Sequence, residues 1–157
     1  MEFINYISTL LLSYLGLGAG IALAIITKEE ILSGKRYFII LQNMLIIITV
    51  LTTIYFLETP WLIWIILIGY AFLIPLIKKQ RKKSFLIYLL LAIIFWASSQ
   101  PNALFPIKLF FPIVGSLIFL IGFPTGSLLL DLKKKNILQI IISNFHYIVI
   151  GLILYFV

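Results

Sequence analysis

Six apolar runs alternate with short polar segments along this chain: Phe3 to Ile26, Tyr37 to Leu57, Trp61 to Ile77, Ser84 to Ser99, Leu109 to Leu130 and Ile137 to Val157. None carries the period-two alternation of a membrane β-strand, so each reads as a helix that is apolar around most of its circumference. Helices of this kind satisfy their own backbone groups and are stable in hydrocarbon. The pattern predicts an all-α fold, a polytopic integral membrane bundle of six transmembrane helices forming a single domain over residues 1–157. The fourth run is the shortest. At 1.5 Å per residue, Ser84 to Ser99 reaches about 24 Å, against a hydrocarbon thickness of roughly 30 Å.

The polar segments carry their own signals. Thr27 and Glu30 have capping-box spacing before a short stub that Gly34 would end, which predicts one interfacial turn between the first two spans. Gln100-Pro101-Asn102-Ala103-Leu104-Phe105-Pro106 sets apolar residues between two prolines. That segment is expected to cap the bundle or dip back into it. The first and fifth spans are both rich in glycine, but they run in the same direction and their flanks do not match, so no internal repeat is read.

Composition supports the membrane reading. The chain of 157 residues is 63% apolar and 11% charged, with a mean hydropathy of +1.20, far below the roughly one-quarter charged residues of a soluble domain. The opening Met-Glu-Phe lacks a basic n-region, so the first run is expected to be a retained span and not a cleaved signal. Abundant Ile and Lys with no Cys fits a prokaryotic source.

Charge then orients the bundle. Eleven of the twelve Lys/Arg residues fall in three loops: Lys28, Lys35 and Arg36; Lys78, Lys79, Arg81, Lys82 and Lys83; and Lys133, Lys134 and Lys135. Lys108 alone is left for the other side. The positive-inside bias puts the three loops in the cytoplasm and both termini outside, as expected of a multi-pass protein of the cell membrane. Trp61, Trp64, Trp96, Tyr55 and Tyr155 would line the outer interface, with Tyr37, Phe85 and Tyr88 at the inner one. A net charge of +7 would suggest nucleic acid in a soluble protein. Here it marks a face next to anionic headgroups, and no nucleic-acid partner is expected. Lys78, Lys79, Arg81, Lys82 and Lys83 are the candidate anionic-lipid contacts, besides their role as a topology anchor.

Polar stripes mark faces that need protein or water. On the last span Asn136, Gln139, Ser143 and His146 fall within about 80° of arc at 100° per residue. His146 would lie roughly 15 Å deep, near the midplane, where an ionisable residue is costly and turns toward the bundle. Its partner is expected from the first or second span. Gln42, Thr49 and Thr53 share a face of the second span, and Asn5, Thr9 and Ser13 share one of the first. The candidate substrate lining is Asn5, Ser13, Gln42, Thr49, Gln139, Ser143 and His146. The alternative reading of His146 is packing glue between helices.

Small residues predict how the helices meet. Gly16 and Gly20 form a GxxxG, as do Gly122 and Gly126, and either pair allows close backbone approach. With Gly115, the second pair shares a face of the fifth span. Pro124 lies inside that pair and is expected to bend the helix, because its ring removes a hydrogen bond and crowds the preceding turn. The stretch Leu120 to Leu129 resembles the Gly-x-x-Pro-x-Gly helix of the membrane glycerol-3-phosphate acyltransferases. The glycine and asparagine phosphate-binding motif that should follow is absent, so no catalytic residue is carried over.

Several chemistries lack their residues. Glu2, Glu29, Glu30, Glu58 and Asp131 all lie at helix ends or in loops, which disfavours an intramembrane aspartyl protease or a carboxylate proton relay. One histidine and no cysteine do not make an ordinary metal site, there is no Walker loop, and no cofactor is expected. The expected function is a membrane transport or substrate-binding component for a small or lipid-like, not strongly ionic molecule. The alternative is a non-catalytic scaffold or accessory subunit of a larger membrane complex. The expected partners are the bilayer with its anionic headgroups, and a partner subunit or a second copy of the chain.

Overall fold

The computed structural model describes the backbone of residues 2–56, 68–69, 74, 76–77, 80–100, 107–131 and 137–156, and within these the side chains of 28–33, 80–81, 107–109 and 131 lie outside the description. The helices with described bounds are α1 (Phe3–Ile26), α2 (Lys28–Phe56), α3 (Gln80–Ser98), α4 (Ile107–Asp131), α5 (Ile137–Asn144) and α6 (His146–Tyr155). No strand occurs among the described residues. Four helical stretches are long and apolar enough to cross a membrane: Phe3–Ile26, Gly34–Phe56, Phe110–Leu130 and Ile137–Tyr155. The expected third span, 61–77, lies outside the described residues except for Ile68, Gly69, Ile74, Leu76 and Ile77, of which Ile74 is buried in the core.

The centre of the bundle is a seam between α1 and α4. On α1 the buried positions Tyr6, Leu10, Ser13, Gly16, Leu17, Gly20, Ile21 and Ala24 recur every three or four residues, while Leu12 and Leu15 on the other side are exposed. A stripe of this spacing forms one helix face. It meets the glycine face of α4 so closely that the two backbones touch. A Cβ on Gly122 would stand 2.5 Å from the Leu17 nitrogen, and one on Gly20 would stand 2.8 Å from the Phe123 Cα. Gly16 faces the Phe119 main chain and Gly126 faces Leu17 and Ile21 in the same way, whereas Gly115 faces the Thr9 side chain. The Ser127 hydroxyl lies 2.9 Å from the Gly20 carbonyl, adding a polar contact across the seam. α4 stays one helix through Pro112 and Pro124, and it is the most enclosed of the four apolar stretches, with 61% of its window buried.

Two boundaries differ from the sequence reading. Gly34 does not end a stub, because α2 runs unbroken from Lys28 to Phe56 and Thr27 alone turns the chain after α1. One glycine inside a helix costs only about 1 kcal/mol relative to alanine, and no proline follows to force a stop. The last span, in contrast, is broken. The Phe145 N–H reaches back three residues to the Ile142 carbonyl, and the Ile148 and Val149 N–H groups both bond the Phe145 carbonyl. At the break the Asn144 side-chain amide bonds the Ile140 carbonyl at 2.8 Å, the i−4 back-bonding that bends helices.

α3 covers the residues of the expected fourth span up to Ser98, is not among the four stretches long and apolar enough to cross a membrane, and sits deep in the bundle. Ile87, Tyr88, Leu90, Leu91, Ala92, Ile94 and Phe95 are all buried. Its 19 residues extend about 28 Å, and helices on several sides cover what lipid would otherwise have to solvate.

Candidate functional site

A cleft of about 570 Å³ opens between the first turns of α3, the end of α4 and the end of α5. α3 contributes Lys82, Ser84, Phe85 and Leu86, α4 contributes Leu129, and α5 contributes Ser143 and Asn144. Its position follows from the two features just described. Ser84 begins the apolar part of α3 directly after the basic run, and Asn144, at the end of α5 just before the break, meets it.

The cleft wall is a continuous hydrogen-bonded chain. The Ser84 hydroxyl donates to Asn144 Oδ1 at 2.6 Å, and Asn144 Nδ2 donates to the Ile140 carbonyl. The Ser143 hydroxyl donates to that same carbonyl at 3.0 Å. Behind the wall, His146 Nδ1 lies 3.2 Å from the Ser143 carbonyl oxygen and Nε2 lies 3.1 Å from the Phe85 carbonyl oxygen. The imidazole packs against the Phe85 ring at 4.3 Å between centroids, and Tyr88 meets it edge-on. Main-chain oxygens engage both ring nitrogens, so the ring is not aimed at either serine hydroxyl. The arrangement is equipped to hold a molecule by hydrogen bonds and apolar contact. Among the described residues no group of three or more His, Cys, Asp or Glu is placed to hold a metal ion.

The two lysines at the start of α3 diverge. Lys82 is exposed at the cleft, but Lys83 is turned inward, 2% exposed, with its Nζ 2.9 Å from Asn43 Oδ1 on α2. Lys83 precedes the apolar span, and burial pushes its ammonium below the ordinary lysine value, since desolvation disfavours the charged form. It therefore links α3 to α2. The side chains of Lys78, Lys79 and Arg81 lie outside the described residues.

The polar positions singled out from the sequence occupy separate places. Ser143 lines the cleft with His146 behind it, bonded to the Ser143 carbonyl, and Asn136 lies outside the described residues. Gln139, on the same stripe, is exposed. Ser13 is buried against the Tyr147 hydroxyl at 2.7 Å. Gln42 donates to Thr125 Oγ1 at 2.8 Å across the α2–α4 contact, leaving its own Oε1 without a partner. Thr49 is buried with its hydroxyl on the Leu45 carbonyl, and Asn5 is exposed beside Glu2. The partner of His146 outside the last span comes from α3, not from α1 or α2, and the neighbouring Tyr147 is the residue that meets Ser13.

Sequence reading did not single out Ser84, Phe85, Leu129 and Asn144 as lining, and it gave Lys82 as a topology anchor and anionic-lipid contact. Ser84 looked like the end of a loop, and Asn144 lies a full 100° step from the Ser143 position on an unbroken helix. The only available signal was a polar amide in the middle of an apolar run. Comparison with known proteins yields no match: no family model fits the chain, and no curated protein or solved structure matches it. The glycines and proline of the acyltransferase-like stretch lie buried, with Gly122 and Gly126 closed against α1, so packing accounts for them.

Proposed function

We propose that this protein is a substrate-binding component of a membrane transport process, taking a small lipid-like molecule into the cleft between α3, α4 and α5. The observation that carries the reading is the mixed lining. Phe85, Leu86 and Leu129 offer apolar surface, and Ser84, Ser143 and Asn144 offer a short polar wall, the combination expected of a site that orients an amphiphile. Among the described residues, Lys82 is the one charged side chain on the lining. In this reading the protein is a six-span protein of the cell membrane, with both termini outside and the basic loops in the cytoplasm, so the cleft faces the inner leaflet.

The test is equilibrium binding of spin-labelled monoacylglycerol to purified protein in nanodiscs. Asn144→Leu, which fills the cleft and removes its central amide, should weaken binding about tenfold or more, equivalent to about 1.4 kcal/mol. Undiminished binding by a folded Asn144→Leu protein would refute the cleft as the site.

A second reading, a non-catalytic subunit that scaffolds a larger complex, draws support from one observation. Ser13, Thr49 and Thr53 are buried and bonded within the protein, facing no open lumen. A scaffold of this kind would show no saturable monoacylglycerol binding and would be recovered with a partner subunit or a second copy of itself.

A further inference from the structure

We propose that His146 is a proton-binding site that ties two walls of the cleft together when charged, an inference that rests on the cleft being the functional site. Both nitrogens of an imidazole donate only when the ring is protonated; the neutral ring has one donor and one lone pair. Both partners of His146 are main-chain carbonyl oxygens, which accept and have no proton to give. The imidazolium satisfies both contacts. A neutral ring sets a nitrogen lone pair against one of the two oxygens, and that contact must give way.

The two carbonyls belong to cleft residues. Ser143 lies on α5 and Phe85 on α3, so one ring ties together two walls of the same cavity. Ser143 lies just before the helix break, where an irregular step already replaces part of the regular bonding, so the segment has a place to flex. Loss of the proton releases either the Phe85 carbonyl across the seam or the Ser143 carbonyl at the break. Both releases loosen the wall. The other titratable or charged groups around the ring are Tyr88, Lys82 and Lys83 on α3, Tyr147 on α6, and Tyr14 on α1, whose ring meets Phe145 edge-on. None is a carboxylate, and α4 and α5 have no titratable side chain among those described. The main-chain oxygens are therefore the acceptors that a second ring proton would meet, and that proton comes from water.

The chain has one histidine and no cysteine, which makes the test direct. Histidine labelled with ¹³C and ¹⁵N gives a single spin system whose nitrogen shifts report the number of ring protons. Spin labels on cysteines introduced at Ile93 of α3 and Ile142 of α5, both exposed, report the distance between those helices. Across about pH 5 to 8, the window in which histidine serves as a switch, the ring should gain its second proton as pH falls, with the label distance shortening over the same range. His146→Gln should abolish that pH dependence. A ring with one charge state throughout, a distance that stays constant while the ring titrates, or an equal pH response in His146→Gln would overturn the proposal. If His146→Gln fails to fold, the wild-type titration still decides, because the two changes must coincide. Neither readout uses a ligand, so loss of monoacylglycerol binding with an intact pH response would count against the cleft as the binding site and not against the latch.

Discussion

Three tyrosines are buried in the bundle and a fourth, Tyr14, is half-buried against them, and their hydroxyls differ in what they reach. Tyr6 bonds the Gly151 carbonyl at 2.8 Å, Tyr14 bonds the Ile141 carbonyl at 2.6 Å, and Tyr147 shares a hydrogen with Ser13, while Tyr88 is fully buried with no partner for its hydroxyl. Each satisfied hydroxyl ties α1 to the last span. Interhelical hydrogen bonds in a membrane contribute about 0.6 kcal/mol on average and up to about 1.7, because the unfolded chain also finds partners. Tyr147→Phe should therefore lower stability by about that amount, measured by reversible unfolding in mild detergent, because Ser13 keeps its bond to the Leu10 carbonyl. Tyr88→Phe removes a hydroxyl that bonds nothing and should leave stability unchanged or raise it. At this scale the sequence was only partly informative. The polarity of Ser13 and His146 marked them as inward-facing, yet nothing in one chain's spacing says which of several inward faces will meet, and those faces separated into a dry Ser13–Tyr147 contact and an open cleft.

At the level of helices, the α1–α4 seam is where the sequence spoke most clearly. Gly16, Gly20, Gly122 and Gly126 stand at four-residue spacing on otherwise bulky helices, and only a close backbone contact makes use of four missing side chains. A one-carbon change tests it. Gly122→Ala or Gly16→Ala would drive a methyl into the opposing main chain, which has no rotamer to yield, and overpacking of this kind costs typically 1–3 kcal/mol. Gly18→Ala is the control, since a Cβ there meets nothing within 4 Å, and alanine's better helix propensity should leave stability equal or slightly higher. Equal loss in all three variants, read by the same unfolding measurement, would mean that the seam is not specific. The break at Phe145 was not legible in the same way. It needs no proline or glycine, arising where the Asn144 amide takes a backbone carbonyl, and an asparagine within an apolar run does not announce which acceptor it will choose.

For the whole molecule, the strongest sequence signal is the distribution of charge, and it speaks to orientation rather than to packing. Eleven Lys/Arg gathered in three segments between apolar runs and one elsewhere predict that single cysteines introduced at Gln80 and Asn102 will react with an impermeant thiol reagent from opposite faces of the membrane. Reaction of both from one face would remove the six-span arrangement. Hydropathy and length make the helical bundle legible because backbone satisfaction in lipid leaves few alternatives. The cleft has no such signature, since it arises from three segments distant in sequence.

The seam also sets the order in which the protein can be made. Ser127 and Gly20, which bond across it, are separated by 107 positions. At a synthesis rate of about 5–20 residues per second, α1 waits on the order of 5–20 seconds in the bilayer before its principal partner emerges. Throughout that interval its small-residue stripe, suited to intimate helix pairing, lies open to lipid, to the insertion machinery or to another nascent copy. Biogenesis of this bundle is thus governed by how the first helix is kept single until the α4 segment arrives.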